Sequence, residues 1–573
     1  MDSSKAFKRS AEVVDPSAAA MRELAQLSPE QREVAQAIID KPGSNFAVSA
    51  PPGTGKTTTM SKLLSAVLGP KKCDRTGRVK AFVVAPTNLA LMQWQHFKDD
   101  SDVYLTTSAS LVGRGVTSPL IPPSTATFTR KCRDIQNFLM GRQSEPTIDL
   151  VLILWDEFWN TAAEDVDNGL EIMSKVLQTT CTTIVFMGDP FQHKPVEGAS
   201  PLLSAPFHEL SRSNVRMLPG LARRPLLKNL MTIPGESRRV CDAPEDIVEL
   251  VSMAGSIEKL LRVGNWKRAE MELETLQSCT AGLVVPPGEK AVYLTARRDR
   301  QWHWQLKALA PLTESGVETH ITGNEDTPVE RRTCIAVGHE HKLIRYVKNA
   351  LQGGAKSSAK ISLPNGMRGK VTKLVRAASS SSRGRKRKRD DGEDLPPYEF
   401  ALFSPHGHTG RPYQVPVTSV TTVTASTTHG AQGITMPDGK RVIFDCENAQ
   451  SVYRTQADVT AAFIVALSRA KNAPTIVMNF ERGLFKKAQD SSKEETGLEK
   501  QVSDAFLRTV QRLTAGRVTS IVPNKVRLKT PSRQSLQVQL NKAYNASKWV
   551  RIRRWNADTS TATLESGLCV QAI

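Results

Sequence analysis

The stretch Asn45-Phe-Ala-Val-Ser-Ala-Pro-Pro-Gly-Thr-Gly-Lys-Thr-Thr-Thr59 decides the fold of this chain. Residues 45–50 are largely apolar and short enough for a buried parallel strand, and residues 60–68 have the apolar spacing of a helix. A strand, a glycine-rich turn and a Lys-Thr pair at a helix start are the context that a phosphate-binding loop requires. Ala50 stands where the usual pattern has its first glycine.

This loop contains the residue types that hold the phosphates of a nucleotide. Its glycines let backbone N–H groups converge on phosphate oxygens, and the helix N-terminus adds positive potential. Lys56 would reach the β- and γ-phosphates, and Thr57 would bind Mg²⁺. The predicted nucleotide-binding set is Gly53, Thr54, Gly55, Lys56, Thr57 and Thr58, with ATP and Mg²⁺ as cofactors. The alternative is a glycine-rich turn that binds nothing, which the flanking strand and helix disfavour.

A second apolar run, residues 151–155, ends in the acidic pair Asp156 and Glu157. Asp156 would hold Mg²⁺, directly or through water, and Glu157 would orient and deprotonate the attacking water. Most Asp-Glu pairs at strand ends are only solvated. The phosphate-binding loop upstream and a third apolar run at residues 182–188 downstream favour the catalytic interpretation.

The bulk composition limits the function classes that fit this chain. At 573 residues it is too long for one core, and length alone suggests three or four folding units. The net charge of +20 favours a polyanionic partner, although a merely soluble basic protein has the same balance. Residues 508–555 hold twelve Lys or Arg residues and no Asp or Glu.

Membrane insertion, export and zinc binding are not expected. No apolar run approaches the ~20 residues of a membrane span, and the first residues have no apolar signal core. The eight cysteines contain no C-x-x-C pair, which favours buried thiols in a reducing compartment.

The third apolar run leads into Gly188-Asp-Pro-Phe-Gln192, and at this point the chain resembles superfamily 1 helicases. The resemblance implies that Gln192 senses the γ-phosphate. Leu27-Ser-Pro-Glu-Gln31 is similar to the adenine-reading element of the family, which implies that Gln31 bonds the base edge. By itself the same segment is a good helix start, with Ser28 as its cap.

Two further segments resemble strand-contacting motifs of the same family. Pro86, Thr87 and Asn88 match motif Ia, whose hydroxyl and amides touch phosphates of the bound strand. Thr107 falls where a second strand-contacting motif belongs, although hydroxyls in a loop are more often part of turns.

The second half of the chain resembles the second core of these helicases. Glu236-Ser-Arg238-Arg239 is similar to motif IV, and we favour Arg238 as its phosphate-binding arginine, with Arg239 as fallback. Two surface arginines are the plain alternative. Residues 463–471 match motif VI, which implies that Arg469 is a second arginine finger.

After the phosphate-binding loop, residues 427–435 are the most specific motif in the sequence, because they closely resemble motif V of these helicases. The resemblance implies that this segment links the nucleic-acid track to the ATP cleft. The residues that would do so are His429, Gln432, Gly433 and Thr435.

The resemblance implies an α/β fold with two RecA-like P-loop domains, most like the RecD-type branch, and a small inserted β-barrel. We expect a disordered N-terminal arm at 1–24, core 1 at 25–235 with a wedge-like insertion near 110–149, core 2 at 236–480, and a basic extension at 481–573. The barrel is expected near 338–415, interrupted by a disordered charged loop at 376–396. Asn365-Gly366 predicts a hairpin within it.

The extension and the charged loop each allow more than one interpretation. Trp549 and Arg551 lie among aromatic and basic residues that predict an auxiliary nucleic-acid site, or equally an amphipathic strand packed on the core. The basic run at 383–389 predicts nuclear import, a nucleic-acid patch or a solvated loop.

These features together predict an ATP-dependent helicase that unwinds DNA 5′ to 3′, with single-stranded and duplex DNA as partners and no membrane. The direction rests on resemblance alone. An RNA helicase of the positive-strand viral type is the runner-up, because Asp189-Pro-Phe-Gln192 fits those enzymes as well. A nucleotide-gated clamp or remodeller that does not unwind is the alternative from another class.

Overall fold

A computed structural model gives the fold of the described part of the chain. The described residues are 18–69, 78–114, 120, 123–140, 148–177, 180–198, 200–201, 230–233, 247–288, 290–323, 326–345, 347–352, 361–363, 365–376, 398–406, 409–432, 436, 439–492, 525–528, 552–556, 561–564 and 569–572. They belong to two compact units. The first lies within residues 1–241, 262–264 and 489–573, and the second lies within residues 242–261 and 265–488.

The α-helices occur in both units and alternate with strands in much of the chain. They are α1 Ala18–Ala25, α2 Pro29–Ile39, α3 Lys56–Leu68, α4 Asn88–Leu91, α5 Ser108–Leu111, α6 Thr125–Met140, α7 Ala163–Val176, α8 Val248–Arg262, α9 Trp266–Thr280, α10 Arg298–Glu314, α11 Thr428–Ala431, α12 Gln456–Leu467 and α13 Leu484–Ser492.

The β-strands are mostly short, and the longest are in the first unit and in the insertion of the second. They are β1 Asn45–Ser49, β2 Arg78–Ala85, β3 Val103–Thr107, β4 Ile148–Trp155, β5 Cys181–Gly188, β6 Leu230–Thr232, β7 Ala291–Thr295, β8 Thr319–Thr322, β9 Thr333–Ala336, β10 Glu340–Leu343, β11 Val347–Gln352, β12 Ile361–Leu363, β13 Arg368–Arg376, β14 Tyr398–Pro405, β15 Tyr413–Pro416, β16 Val420–Thr422, β17 Ala425–Thr427, β18 Arg441–Asp445, β19 Thr475–Met478, β20 Lys525–Leu528, β21 Ile552–Asn556, β22 Thr561–Leu564 and β23 Cys569–Ala572.

The first unit is built on a six-stranded sheet in the order β3-β2-β4-β5-β1-β6, and each neighbouring pair is parallel. Strand β1 is buried along its whole length because its residues face packed layers on both sides of the sheet. Apolar residues of α2 and α3, including Val34, Leu63 and Leu64, belong to the same buried core as Phe46 and Val48. This arrangement confirms the predicted α/β class. The expected disorder of residues 1–24 is wrong for residues 18–24, because they form most of α1 and Leu24 belongs to this core.

The second unit contains its own parallel sheet, in the order β17-β7-β18-β19. Helix α12 is buried at every residue from Val459 to Leu467, which explains why its sequence is continuously apolar. Phe463 of this helix packs edge-on against Phe444 of β18, with ring centroids 5.0 Å apart. The two parallel sheets flanked by helices match the predicted architecture.

An antiparallel sheet in the order β12-β11-β15-β14-β13-β10-β16 occupies the position where the small barrel was expected. Its end strands β12 and β16 are not paired with each other, so the described residues form an open sheet rather than a closed barrel. The buried face of this sheet contains Leu343, Val371, Phe403 and Val415.

The hairpin predicted at Asn365-Gly366 is wrong. A turn is present there, and Gly366 has a φ of 86°, but the strands on either side of it are not neighbours in the sheet. The Gly366 N–H donates to Leu343 O at 2.8 Å, and the Leu343 N–H donates to Met367 O at 2.9 Å. The turn is therefore held by strand β10, a partner that local sequence does not reveal.

Short strands of the C-terminal region form a sheet in the order β20-β23-β22-β21. Strand β21 pairs antiparallel with β22, with Trp555 opposite Ala562. Trp549 and Arg551, predicted to contact nucleic acid, lie outside the described residues, as do the charged run at 383–389 and most of the predicted loop at 376–396. In the described part of the chain, no helix has the length and apolarity needed to cross a membrane.

Candidate active site

The predicted phosphate-binding loop links the end of β1 to the start of α3. Gly53 and Gly55 have φ values of 80° and 87°, in the left-handed region that favours glycine. A Cβ added at Gly55 would lie 2.5 Å from Gln31 Nε2, so a side chain here would displace the Gln31 amide. Gly55 precedes α3 without a side-chain cap, which leaves the first-turn N–H groups of α3 suited to bind an anion.

Gln31 contacts the backbone of the loop. Its Nε2 donates to Thr54 O at 2.6 Å, and Gln31 is only 2% exposed. Ser28 and Gln31 also form the reciprocal capping box at the start of α2, as the helix-start interpretation predicts. The adenine-reading role of Gln31 stays a prediction. The observed hydrogen bond attaches the Gln31 side chain to the Thr54 carbonyl of the loop.

The structure brings the loop and the acidic pair together. Thr57 Oγ1 lies 3.5 Å from Asp156 Oδ2, and Lys56 Nζ lies 3.8 Å from Glu157 Oε1. Lys56 is 7% exposed and Glu157 is 12% exposed, so this pair is largely withdrawn from water. Thr58, the sixth residue of the predicted nucleotide-binding set, lies in the first turn of α3.

Asp156 is the most enclosed carboxylate of the site. Its Oδ1 accepts the Glu157 N–H at 2.9 Å, and its Oδ2 accepts the Trp94 indole N–H at 2.9 Å. Burial and the negative charge of Glu157 raise the pKa of Asp156 to about 6, against the opposing effects of Lys56 and the two hydrogen bonds. A bound cation would favour the charged form of this group.

Glu157 adopts an unusual backbone conformation, with a φ of 47°. Positive φ values are disfavoured for residues with a Cβ, and they are tolerated where the surroundings fix them. This conformation places Glu157 at the start of the short 3₁₀-helix Phe158–Asn160, directly after Asp156.

The oxygen atoms at this point suit a magnesium ion. Mg²⁺ prefers carboxylate, phosphate and water oxygens, and it is held by few protein groups. Asp156 and the Thr57 hydroxyl provide such oxygens next to the loop. This donor set fits the predicted metal.

Asp189 anchors the predicted γ-phosphate sensor. Arg262 Nη1 and Nη2 bind its two carboxylate oxygens at 3.0 and 2.7 Å, and both residues belong to the first unit. Burial alone would raise the pKa of Asp189, but the charge and hydrogen bonds of Arg262 lower it below its usual value. Gln192 Nε2 donates to Asp189 Oδ2 at 3.3 Å, and in the described residues Gln192 Oε1 is buried without a hydrogen-bond partner.

The first-unit residues that are predicted to contact a nucleic-acid strand lie at the same edge of the first sheet as the phosphate-binding loop. Strands β2 and β3 are parallel neighbours, and Ala85 is level with Thr107. Thr87 and Thr107 each cap a short helix, accepting the N–H of Ala90 at 3.2 Å and of Ser110 at 3.1 Å. Ligand sites of parallel sheets form at this carboxyl edge.

Pro86, Thr87 and Asn88 follow β2 directly. Thr87 is exposed, and Pro86 and Asn88 are half-buried. The hydroxyl oxygen of Thr87 accepts the Ala90 N–H. The hydroxyl hydrogen can rotate, so it is able to donate to a nearby acceptor such as a phosphate oxygen.

In the second unit, Thr427 at the end of β17 caps α11 through the Gly430 N–H at 3.1 Å. His429 is exposed on α11, and Gln432 is 8% exposed. Gln432 Oε1 is buried without a hydrogen-bond partner in the described part of the unit. Gly433 and Thr435, predicted to act with them, lie outside the described residues.

Arg469 is 1% exposed, which is unusual for an arginine. Its Nη2 donates to Ser468 Oγ at 2.8 Å, its Nε donates to Val465 O at 3.1 Å, and its Nη1 donates to Ala431 O at 3.5 Å. In this structure the guanidinium therefore joins α12 to α11. Arg238 and its fallback Arg239 lie outside the described residues.

Two residues of the site have no signal in the sequence. Trp94 and Arg262 reach their carboxylates across 62 and 73 residues of chain. A tryptophan in a short helix and an arginine at a helix end are each ordinary surface or core residues by pattern alone. Their roles depend on tertiary packing.

Part of the chain matches a known protein family. A family model described as an AAA domain matches residues 26–213. No curated protein matches the chain. The Pif1 helicase from Candida albicans aligns at 17% identity and a TM-score of 0.47, over 84% of this chain and 99% of that chain.

Two other Pif1 structures align over similar lengths. A structure of two coordinating Pif1 helicases at forked double-stranded DNA has 16% identity and a TM-score of 0.45, over 82% of this chain and 98% of that chain. Pif1 from a Bacteroides species in complex with ADP-AlF4 has 14% identity and a TM-score of 0.39, over 82% of this chain and 97% of that chain.

The family match covers β1 to β5 of the first sheet, the phosphate-binding loop and the acidic pair. It also includes Gln31 and Gln192, which contact the loop and Asp189. The family match therefore includes the residues that the structure brings together around the loop. Residues 26–213 of this chain are therefore similar to an AAA domain.

Proposed function

We propose that this chain is an ATP-dependent helicase of superfamily 1 that unwinds DNA with 5′-to-3′ polarity. The observation that carries the proposal is the grouping of Lys56, Asp156 and Glu157 at the carboxyl edge of one parallel sheet. The exposed Thr87 lies at the same edge, where a bound strand would be close to the nucleotide. Motifs V and VI on a second parallel sheet support a motor rather than a simple nucleotide hydrolase.

The chemistry assigned to the site is hydrolysis of the γ-phosphate. Lys56 and the loop N–H groups would bind the phosphates, and Thr57 and Asp156 would hold Mg²⁺, which neutralises phosphate charge when bound. Glu157 would accept a proton as the oxygen of water bonds to the γ-phosphorus. The bond from phosphorus to the bridging oxygen breaks, and ADP leaves with that electron pair.

Arg469 would need a different set of hydrogen bonds to act as an arginine finger. Acceptors of its guanidinium in the described part of the chain include carbonyl and hydroxyl oxygens of its own unit. A phosphate oxygen is a stronger acceptor for guanidinium than a neutral carbonyl. We propose that Arg469 exchanges these bonds for phosphate during the cycle, which would couple hydrolysis to the packing of α11 and α12.

The test is ATP hydrolysis by the full chain with and without oligothymidylate or polyuridylate. We expect stimulation by oligothymidylate, and loss of about 10³-fold or more in Lys56→Ala because the phosphates lose their cation. Lys62→Ala is the matched control on the same helix, since Lys62 pairs with Glu23 at 2.6 Å and has no role in the proposal. Absence of stimulation by any polynucleotide would refute the motor.

Unwinding of tailed duplexes distinguishes the remaining alternatives. The proposal predicts that a 5′-tailed DNA duplex is opened and that a 3′-tailed one is not. Preference for an RNA duplex would identify the viral-type RNA helicase. Hydrolysis and binding without opening of any duplex would identify the nucleotide-gated clamp.

We also propose nuclear import through the basic run at residues 383–389. A fluorescent fusion of the chain should accumulate in nuclei and lose that distribution when the five arginines and lysines at 385–389 become glutamine. Unchanged distribution would leave the run as a solvated loop.

A further inference from the structure

The exposed segment that carries Thr87 is attached to Asp156 at both of its ends. At one end, Val84 O accepts the Asp156 N–H at 2.7 Å. At the other, the Trp94 indole N–H donates to Asp156 Oδ2 at 2.9 Å. Trp94 is 0% exposed and Asp156 is 1% exposed, so water does not compete for either bond.

The chain from Asn88 to Trp94 is helical, whereas Pro86 and Thr87 before it are not. Thr87 caps α4, and the Leu91 N–H donates to Thr87 O at 3.2 Å. The helix continues without a loop into the 3₁₀-helix Met92–Phe97, because Leu91 keeps helical angles of −63° and −26°. Thr87 is therefore joined to the indole by one turn of α-helix and the start of the 3₁₀-helix, through which a displacement of the exposed end would reach Trp94.

We infer that Trp94 is a positioning residue that couples the Thr87 segment to the orientation of the Asp156 carboxylate. This inference rests on the proposed function, since it needs Asp156 to hold Mg²⁺ and the Thr87 segment to contact the strand. The indole N–H fixes the rotation of the carboxylate, and with it the direction of the oxygens offered to the metal. Groups that orient metal ligands typically change metal affinity or activity by about 10–100-fold when removed.

A packing role alone would not require a tryptophan here. The ring belongs to the buried core that includes Ala85 and Leu91, and its centroid lies 6.3 Å from that of Phe97. Phenylalanine would fill much of the same space but has no N–H. The positioning role therefore needs the indole nitrogen, whereas a packing role does not.

The experiment compares Trp94→Phe with Trp304→Phe in the full chain. Trp304 is the matched control because its indole N–H donates to Asp445 Oδ2, another buried carboxylate, at 2.7 Å. Both variants thus remove one indole donor from a buried aspartate. The readouts are Mn²⁺ affinity with ADP present, measured by electron paramagnetic resonance, thermal unfolding, and hydrolysis with oligothymidylate.

For Trp94→Phe we expect Mn²⁺ binding weakened by about 10–100-fold and smaller stimulation by oligothymidylate. Oligothymidylate affinity without nucleotide should be unchanged. Trp304→Phe should lower the unfolding temperature similarly and leave Mn²⁺ affinity as in the wild type. Wild-type Mn²⁺ affinity in Trp94→Phe would overturn the inference.

A measurement on the wild-type chain covers the case in which Trp94→Phe does not fold. Mn²⁺ with ADP should broaden the Trp94 indole ¹⁵N–¹H signal beyond detection, because the Trp94 N–H contacts the carboxylate that would hold the metal. Persistence of all indole signals would count against the inference. If wild-type hydrolysis is stimulated while the Mn²⁺ results fail, the helicase proposal stands and only the role of Trp94 is refuted.

Discussion

Asp189 is a buried carboxylate whose charge is balanced by Arg262. Removing one partner of such a pair leaves an unpaired buried charge, which typically costs about 3–5 kcal/mol. Arg262 also lies 5.3 Å above the ring of Phe191, so its removal takes away a cation–π interaction as well. The pair fixes the carboxylate to which the Gln192 amide is bonded.

We expect Arg262→Ala to lower the free energy of unfolding by about 3–5 kcal/mol in chemical denaturation. Arg268→Ala is the matched control, because Arg268 is 69% exposed and pairs with Glu272 at 3.1 Å. That exposed pair should contribute no more than about 1 kcal/mol. Equally small losses in the two variants would contradict the importance of the Asp189 pair.

The grouping of the candidate site residues was largely predictable from the sequence, and their tertiary partners were not. The spacing of Lys56, Thr57, Asp156 and Glu157 is fixed by local motifs at strand ends, and the parallel sheet brings those ends together. Trp94 and Arg262 belong to no local pattern. Trp94 lies in the 3₁₀-helix after α4, and Arg262 is the last residue of α8. Tertiary packing, and not sequence spacing, brings these positions to their carboxylates.

At the scale of elements, strand β10 carries a histidine that is fully buried. His341 is 0% exposed, its Nδ1 lies 2.8 Å from His339 O, and its Nε2 accepts the Ala336 N–H at 3.1 Å. Burial lowers the pKa of His341 to about 4. A proton on Nε2 would face a backbone donor, so the folded state holds the ring neutral.

The sign of the pH effect follows from this depressed pKa. Below about pH 6.5 the unfolded chain binds a proton that the folded chain does not, so stability falls as the pH drops from about 6.5 to about 4. The full decrease is about 3 kcal/mol. Denaturation of the wild type at several pH values in this window measures it.

His341→Gln should remove most of this pH dependence, because the amide oxygen can accept the Ala336 N–H without titrating. His406→Gln serves as the control, since His406 is 52% exposed and its ring faces Glu340 at the surface. A slope that persists in His341→Gln, or disappears in His406→Gln, would show that another group is responsible.

Elements were predicted well where their apolar runs are continuous. Strands β1, β4 and β5 coincide with the apolar runs at 45–50, 151–155 and 182–188, because both faces of a parallel sheet are covered. The antiparallel insertion was predicted less well. Its strands alternate in burial, as in β13, and Asn365-Gly366 looked like a local hairpin although its partner is β10.

At the scale of the whole molecule, the uneven distribution of charge has a measurable effect. The segment 508–555 carries twelve basic residues, and its strands β20 and β21 belong to a small sheet. If this region binds a nucleic-acid strand, neutralising it should make the salt dependence of binding shallower. The logarithmic slope should fall by about 0.7 for each phosphate that the protein no longer neutralises.

The variant for this test converts Lys548, Arg551, Arg553 and Arg554 to glutamine. Oligothymidylate binding, followed by fluorescence anisotropy from low to high salt, should show lower affinity and a shallower slope than the wild type. The matched control converts Arg385, Lys386, Arg387 and Lys388, which removes the same charge elsewhere. If only the control shows a shallower salt dependence of binding, the auxiliary nucleic-acid site is in the run at 383–389 and not in the segment 508–555.

The central position of β1 has a consequence for how the protein is made. β1 lies between β5 and β6, so Asn45 is level with Ile184 and Ala47 is level with Leu230. A ribosome must therefore synthesise more than a hundred further residues before the strand that precedes the phosphate-binding loop acquires either neighbour. During that interval an uncovered apolar strand is exposed, and nascent chains released early would be candidates for chaperone capture and aggregation.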